Sequence, residues 1–316
     1  MIDFRYHLVS IAGIFLALAV GIVLGAGPLK GEISSTITNE VASLRADKSQ
    51  LNDEVADLKS GTEARDKLLT QTSPTVLSGT LAGRSVAMVA LPGVDANFMA
   101  ATRATLVASG AEVASSVSVT DKWPASATSG PTAAVTEIAG ILGVERAGDG
   151  VLADQVLGAL LARADATETT ALTLEQVRAG LDALREAGLI DTDTTQVAQA
   201  EAIVVLAATV TSGTPEEAAL KVEPTVRLAG ALDSVSGGVV LASNLPTTDV
   251  DAERESVLTL REDRRLAQGV STIDDATEPM GQLSIAFGLV QQLAGGVGHY
   301  GFGAGASAPF APLASS

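Results

Sequence analysis

The stretch "SVAMVAL" (85–91) decides the fold predicted for most of this chain. Every residue from Val86 to Leu91 is apolar, and the run stops at the turn-forming pair Pro92 and Gly93. A short, continuously apolar run bounded by turn residues is typical of a strand buried on both faces of a parallel sheet. Three further runs have this character: "AIVVLAA" (202–208), "GGVVLAS" (237–243) and the shorter "GVSTID" (269–274).

Helical patterns alternate with these strands. The predicted helices are 95–109, 131–143, 151–163, 173–187, 215–233, 251–267 and 279–294, and a weaker strand is predicted at 111–119. Such alternation predicts a mostly parallel, open α/β (Rossmann-like) sheet domain over residues 85–296. Residues 297–316, which are rich in Gly, Ala, Ser and Pro, are predicted to form a flexible tail.

Ligands of open α/β sheets bind outside the carboxyl ends of the strands. The loops predicted there are 92–95, 243–244 and 274–275, and their candidate ligand residues are Asp95, Asp274 and Asp275. These carboxylates could hold a cation or serve an acid–base reaction. Short acidic residues at strand ends more commonly cap helices and form turns, and we favour that interpretation.

Composition excludes several other chemistries. The chain has no cysteine, so disulfides and thiolate metal sites are absent, and its two histidines, His7 and His299, are far apart in sequence. The formal net charge of −17 argues against nucleic-acid binding. We predict no catalytic residues, no resident metal and no cofactor, and we do not expect an enzyme.

An uncharged run from Leu8 to Leu29 is long enough to cross a hydrocarbon core of about 30 Å. We predict a transmembrane helix over 8–29; the alternative is a cleaved signal peptide, whose apolar region is normally shorter. Small residues recur every fourth position, which is typical of a close helix–helix contact in lipid, although Gly and Ala are common in such helices anyway. This predicted dimerisation face consists of Gly13, Ala17, Gly21 and Gly25.

Heptad spacing follows the apolar run. Residues 30–71 are predicted to form a parallel, dimeric coiled-coil stalk, with Leu-rich d positions and β-branched a positions. Its seam consists of Ile37, Val41, Leu44, Leu51, Val55 and Leu58. Opposite charges at the flanking positions, Glu40 with Arg45 and Glu54 with Lys59, fit that arrangement. The alternative is a single amphipathic helix that docks on its own globular domain.

Short segments join these elements. A hinge is predicted at 25–28, where Gly and Pro lie between the membrane helix and the stalk. A polar linker is predicted at 72–84.

The N-terminal peptide "MIDFRYH" (1–7) alternates apolar and polar residues. This period of two suits an extended strand added to the edge of a partner's sheet. Phe4, Arg5 and Tyr6 are therefore the candidate partner-binding residues, with aromatic anchoring at the lipid headgroups as the alternative.

The opening "MIDFRYHLVSIAGIFLALAVGIVLGAGPL", the heptad stalk and "STIDDATEPMGQLSIAFGL" (271–289) resemble an actinobacterial family of copper transport proteins, MctB, also called SteB in cell division. The resemblance implies two functions: copper passage through an outer-membrane channel, or control of peptidoglycan cleavage with a SteA-like partner and a hydrolase. It also implies a cytoplasmic N-terminus, a single pass through the plasma membrane and an extracytoplasmic α/β domain, with an outer-membrane location as the alternative.

The residues themselves favour the division scaffold over copper transport. Copper carriers use thiolate, thioether or imidazole ligands, and Met88, Met99 and Met280 are not closely spaced. Copper is therefore implied by the resemblance alone. We expect a membrane-anchored homodimer that regulates cell-wall hydrolysis, with copper transport as the alternative.

Overall fold

The computed structural model describes residues 4–25, 29–123, 130–146, 150–163, 172–192, 197–245 and 254–313, and of 29–36 it describes the backbone alone. The chain divides into two compact units, Met1–Arg65 and Asp66–Ser316. The second unit contains the sheet.

The first helix, α1 (Phe4–Gly25), has 22 residues and a mean hydropathy of 2.6, so by length and composition it could cross a membrane. All its side chains are exposed. It begins about one turn earlier than the predicted span 8–29, and residues 26–28 of that span lie outside the described residues. Most of the predicted hinge at 25–28 lies outside the described residues.

The second helix, α2 (Leu29–Leu77), has 49 residues and contains the whole of the predicted stalk. It also continues through the first part of the predicted linker 72–84, although Pro74 lies inside it. The hydroxyls of Thr70 and Ser73 donate to the carbonyls of Asp66 and Leu69, 2.8 and 2.6 Å away. One proline removes one backbone hydrogen bond, and a polar sequence alone does not end a helix.

In the described part of the chain, seven strands form one sheet in the order β3-β2-β1-β4-β5-β6-β7. Only β3 runs antiparallel to its neighbour, β2; the other pairs are parallel. The strands are β1 (Ser85–Ala90), β2 (Glu112–Val119), β3 (Ile190–Thr192), β4 (Ala202–Leu206), β5 (Val239–Ala242), β6 (Ser271–Ile273) and β7 (His299–Tyr300). The prediction of a mostly parallel α/β sheet is confirmed.

The remaining helices cover the sheet on both faces. They are α3 (Ala96–Ala108), α4 (Ala133–Leu142), α5 (Leu152–Leu161), α6 (Leu174–Glu186), α7 (Pro215–Asp233), α8 (Ser256–Glu262) and α9 (Pro279–Leu293). The predicted helix 251–267 is shorter than expected, because Asp263 ends α8 and a 3-10 turn, Leu266–Gln268, follows it.

Alternation along β1 divides the core into two layers. Val86 and Met88 pack in one cluster with residues of α3 and α9. Ala87 and Val89 pack in the other cluster, with residues of α4 to α8. Both layers are apolar, which explains why the strand is a continuous apolar run instead of an alternating one.

Two strands were not predicted. β3 (Ile190–Thr192) is short and antiparallel, and β7 (His299–Tyr300) lies where a flexible tail was expected from 297. Tyr300 donates from its hydroxyl to Gln291, and the backbone of Gly301 donates to Ala308. The segment after α9 is therefore part of the sheet and its edge.

Candidate functional site

Asp95, the first of the three candidate carboxylates, is the N-cap of α3. Its side chain accepts from the backbone N–H of Asn97 at 2.8 Å, which satisfies one of the free donors of the helix. The residue is exposed. Its geometry is that of a cap.

Asp274, directly after β6, is buried and paired. Its Oδ2 lies 2.6 Å from Nη1 of Arg261, and the two side chains are 1% and 2% exposed. It also accepts from the backbone N–H groups of Phe302 and Gly303, at 2.7 and 3.0 Å. Asp274 therefore holds the segment after β7 against the end of β6.

Arg261 extends this network to a histidine. Its Nε donates to the hydroxyl of Thr272 at 2.8 Å, so the hydroxyl proton is free to point at Nδ1 of His299, 2.9 Å away. Nε2 of His299 then donates to the carbonyl of Ala267 at 3.1 Å. Burial lowers the pKa of His299, and the Arg261 guanidinium lowers it further. Both nitrogens of the imidazole are engaged, and the lowered pKa favours its neutral form.

Asp275 differs from its neighbour because its Oδ1 is buried without a hydrogen-bond partner in the described part of the chain. Burial, followed by the negative charge of Asp274, raises the pKa of Asp275 to about 6. A carboxyl that titrates near neutrality is a common feature of functional sites and also of merely buried acids.

The three predicted carboxylates do not form one site. Asp95 follows β1 and the other two follow β6, and β4 and β5 lie between those strands. Three strand spacings correspond to about 14 Å. Within the described residues, no group of three or more His, Cys, Asp and Glu side chains is placed to hold a metal ion.

A cavity of about 500 Å³ lies elsewhere in the α/β domain. The strand order places β2 and β4 on opposite sides of β1, so the direction in which strands are added reverses there. The cavity is lined by residues that follow these three strands, including Pro92, Thr120 and Thr209, and by residues of α7. Open α/β sheets bind ligands at this kind of switch point.

Trp123, in the cavity wall, belongs to a buried polar network. Its Nε1 donates to Oδ1 of Asp154 at 2.8 Å, and Arg227 donates to Oδ2 at 2.6 Å. Burial raises the pKa of Asp154, although the bonds from Arg227 and Trp123 oppose that shift. The network joins the β2 loop to α5 and α7, and so fixes one wall of the cavity.

The sequence prediction located only part of this cavity. Pro92 and Gly93 belong to a predicted ligand loop, but the segment Thr209–Ser212 after β4 and the segment Thr120–Trp123 after β2 were not singled out. Locating the whole cavity requires the strand order, in which β1 and β4 are neighbours. No local motif in the sequence indicates that adjacency.

The remaining candidate residues lie on α1 and α2. Along α2 the predicted seam is solvent-exposed, from 38% at Val41 to 65% at Leu58. On α1, a Cβ atom added at Gly13, Gly21 or Gly25 would meet nothing within 4 Å, and Ala17 is exposed as well. Both predicted dimerisation faces are therefore open.

The N-terminal peptide is not a strand where it is described. From Phe4 onward it is the first turn of α1, and Met1 to Asp3 lie outside the described residues. Phe4 and Tyr6 are 78% and 76% exposed. The expectation of an extended conformation is therefore wrong for residues 4–7, because the helical pattern of the apolar run extends through them.

Comparison with known proteins gives a match over nearly the whole chain. The family model described as "Copper transport outer membrane protein, MctB" matches residues 1–311. The copper transporter MctB of Mycobacterium tuberculosis (strain ATCC 25618 / H37Rv) is 30% identical over 317 residues, which cover 97% of this chain and 98% of the relative. The copper transporter MctB of Mycobacterium leprae (strain TN) is 29% identical over 329 residues, which cover 99% and 100%.

Proposed function

We propose that this chain, which belongs to the MctB family of copper transport outer membrane proteins, takes part in moving copper across the cell envelope. The observation that carries the proposal is the extent of the match, which includes the membrane helix, the stalk and the α/β domain. The order of preference drawn from the residues alone, with the division scaffold first, is reversed by this match.

The described residues of a single chain do not supply a path for copper across a membrane. The one described helix with the length and composition of a membrane span, α1, has no ionisable residue after His7. An ion in hydrocarbon without polar partners is very costly, and one helix encloses no pore. Copper therefore crosses at an assembly of several copies, or through a partner that this chain anchors and positions.

Dimerisation through α2 is the first step of that assembly. The support is the open heptad seam, in which Leu44 and Leu51 are 62% and 61% exposed. Burying such side chains contributes about 1.5–3 kcal/mol each, so an unpaired seam is a strong driving force for association. Leu at d with Val at a favours two parallel strands.

We place the N-terminus in the cytoplasm and the α/β domain outside the plasma membrane. This topology rests on the family resemblance, because Arg5 and Lys30 lie on opposite sides of the apolar run and balance each other. An outer-membrane position of the whole assembly is the alternative that the family description favours.

The test is copper tolerance in a strain that lacks the gene. We expect complementation by the parent chain to restore growth at elevated copper, and Leu44→Asp with Leu51→Asp to fail because the stalk no longer pairs. The matched control is Ser43→Asp with Gln50→Asp, which adds the same charge off the seam. Equal growth with and without the parent chain would contradict the proposal.

A second candidate function is a scaffold that regulates cell-wall hydrolysis, with a SteA-like partner and a peptidoglycan hydrolase. The observation in its favour is the exposed pair Phe4 and Tyr6 at the membrane edge, which offers a partner an apolar contact. We expect Phe4, Arg5 and Tyr6, changed together to Ala, to reduce recovery of the partner in a pull-down. Unchanged recovery with normal membrane insertion would leave lipid anchoring as their role.

A further inference from the structure

The cavity at the switch point has the position and the size of a ligand site. It lies at the carboxyl ends of β1, β2 and β4, and its volume of about 500 Å³ is within the range of small-molecule pockets. Nothing in the copper proposal uses it.

The walls of the cavity are held in place by the fold. Thr209 donates to the carbonyl of Asn244 at 2.9 Å, and Arg254 donates to the carbonyl of Gly213 at 2.8 Å, so the loop after β4 is tied to two other segments. Trp123 is fixed by Asp154 on the opposite wall. A site whose walls are preformed loses little free energy to ordering when a ligand binds.

The lining combines apolar surface with hydroxyls. Leu91, Val119 and Val210 provide apolar contact, and Thr211, Ser212 and Ser256 provide hydroxyls. Ser256 is 2% exposed, which places a polar residue deep in the wall. This mixture suits a small organic molecule with hydrogen-bonding groups.

The lining of the cavity contains one acidic and one basic residue. Asp121 and Lys221 are its only charged residues among those described, and neither forms an ion pair within the described ranges. Asp121 follows β2, and Lys221 lies on α7, which follows β4. Asp121 and Lys221 are both exposed, and they line the cavity from two different elements of the fold.

We propose that this cavity binds a small zwitterion, of the size of a dipeptide, with its carboxylate toward Lys221 and its ammonium toward Asp121. The two charged termini of an extended dipeptide are about 7 Å apart, and the lining offers one side chain of each opposite charge, Asp121 and Lys221. The apolar wall takes small side chains, and the hydroxyls take the peptide group. The proposal is independent of the copper function.

The test uses the full chain in detergent, and its probe is L-alanyl-L-alanine. Trp123 is the only tryptophan of the chain, so intrinsic fluorescence reports on the cavity wall directly. We expect a saturable change in Trp123 fluorescence on addition of the zwitterionic dipeptide. Its N-acetylated and C-amidated forms should bind about ten-fold more weakly, since each loses one charge-assisted hydrogen bond.

Two substitutions test which charged side chain binds which terminus of the dipeptide. We expect Lys221→Gln to bind the free dipeptide only as tightly as the parent chain binds the amidated form. We expect Asp121→Asn to bind it only as tightly as the parent chain binds the acetylated form. Glu223→Gln, an exposed change outside the lining on the same helix, is the control, and unchanged thermal unfolding of each variant shows that it is folded. No saturable change, or equal binding of all three peptides, would overturn the proposal.

Discussion

Arg261 and Asp274 form an ion pair that is almost completely withdrawn from solvent, with 2.6 Å between Nη1 and Oδ2 and side-chain exposures of 2% and 1%. The arginine also donates to the carbonyl of Tyr300 at 2.8 Å. Removing one partner of such a buried ion pair lowers the free energy of unfolding strongly, because the other charge is left buried without compensation.

The first prediction therefore concerns Asp274→Asn. We expect it to lower the free energy of unfolding by about 3–5 kcal/mol, because Arg261 stays buried without a counter-charge. Urea denaturation of the full chain in detergent, followed by Trp123 fluorescence, measures this. The control is Asp182→Asn, which removes the exposed pair with Arg185 and should cost at most about 1 kcal/mol. Equal losses in the two variants would show that the burial of the pair contributes nothing.

A second prediction concerns pH. The pKa of Asp275 is raised to about 6 from an ordinary value of 3.8, so the folded state holds this proton more tightly than the unfolded state. The protonated carboxyl thus adds stability that is fully present below its ordinary pKa and is lost as the pH rises through about 6. Asp275→Asn should raise the free energy of unfolding by about 1 kcal/mol at about pH 8 and have little effect near pH 4.

Its control is Asp191→Asn on the exposed face of β3. That variant should show no such dependence on pH. A gain in stability at low pH for Asp275→Asn, or none at high pH, would contradict the assigned direction of the shift.

A third prediction concerns the stalk. The chain has no cysteine, so Leu44→Cys introduces a unique thiol at a predicted d position. We expect efficient disulfide crosslinking of two copies in membranes, because d positions of a parallel dimer face each other. Ser43→Cys, one residue away and off the seam, should crosslink poorly. Crosslinking that is equal at the two positions would refute the heptad register.

A fourth prediction concerns copper binding by the chain itself. Both nitrogens of His299 are engaged, and Met88 is buried in β1 at 1% exposure. We expect copper(I) binding no tighter than that of a generic acidic protein, measured by competition with a chromogenic chelator. Tight, stoichiometric binding would restore a carrier role for the α/β domain.

The sequence predicted those elements whose pattern is local. β1 and β4 are continuous apolar runs, and α7 begins with Thr214 and Pro215, a capping pair that marks its start within the sequence. The predicted bounds 215–233 are those of the helix itself. A long helix whose start is marked by its own capping residues can therefore be located without tertiary information.

Elements that depend on tertiary contacts were missed. β7 consists of His299 and Tyr300 among glycines, and it exists because β6 offers it a neighbour and Asp274 holds the segment that follows. The cavity has the same origin, since Thr120 and Thr209 line the same cavity only once β2 and β4 lie on either side of β1. No residue spacing in the sequence predicts the pairing of β7 with β6 or the residues that meet at the cavity.

The central proposal, that this member of the MctB family takes part in moving copper across the envelope, is tested most directly by the copper content of cells. Mass spectrometry of washed cells, grown in copper-supplemented medium with and without the gene, measures it. We predict that cells without the chain retain more copper, and that the parent chain restores the lower content while Leu44→Asp with Leu51→Asp does not. The four strains lack the gene or carry the parent chain, Leu44→Asp with Leu51→Asp, or the control Ser43→Asp with Gln50→Asp. Equal copper contents in all four would contradict the proposal.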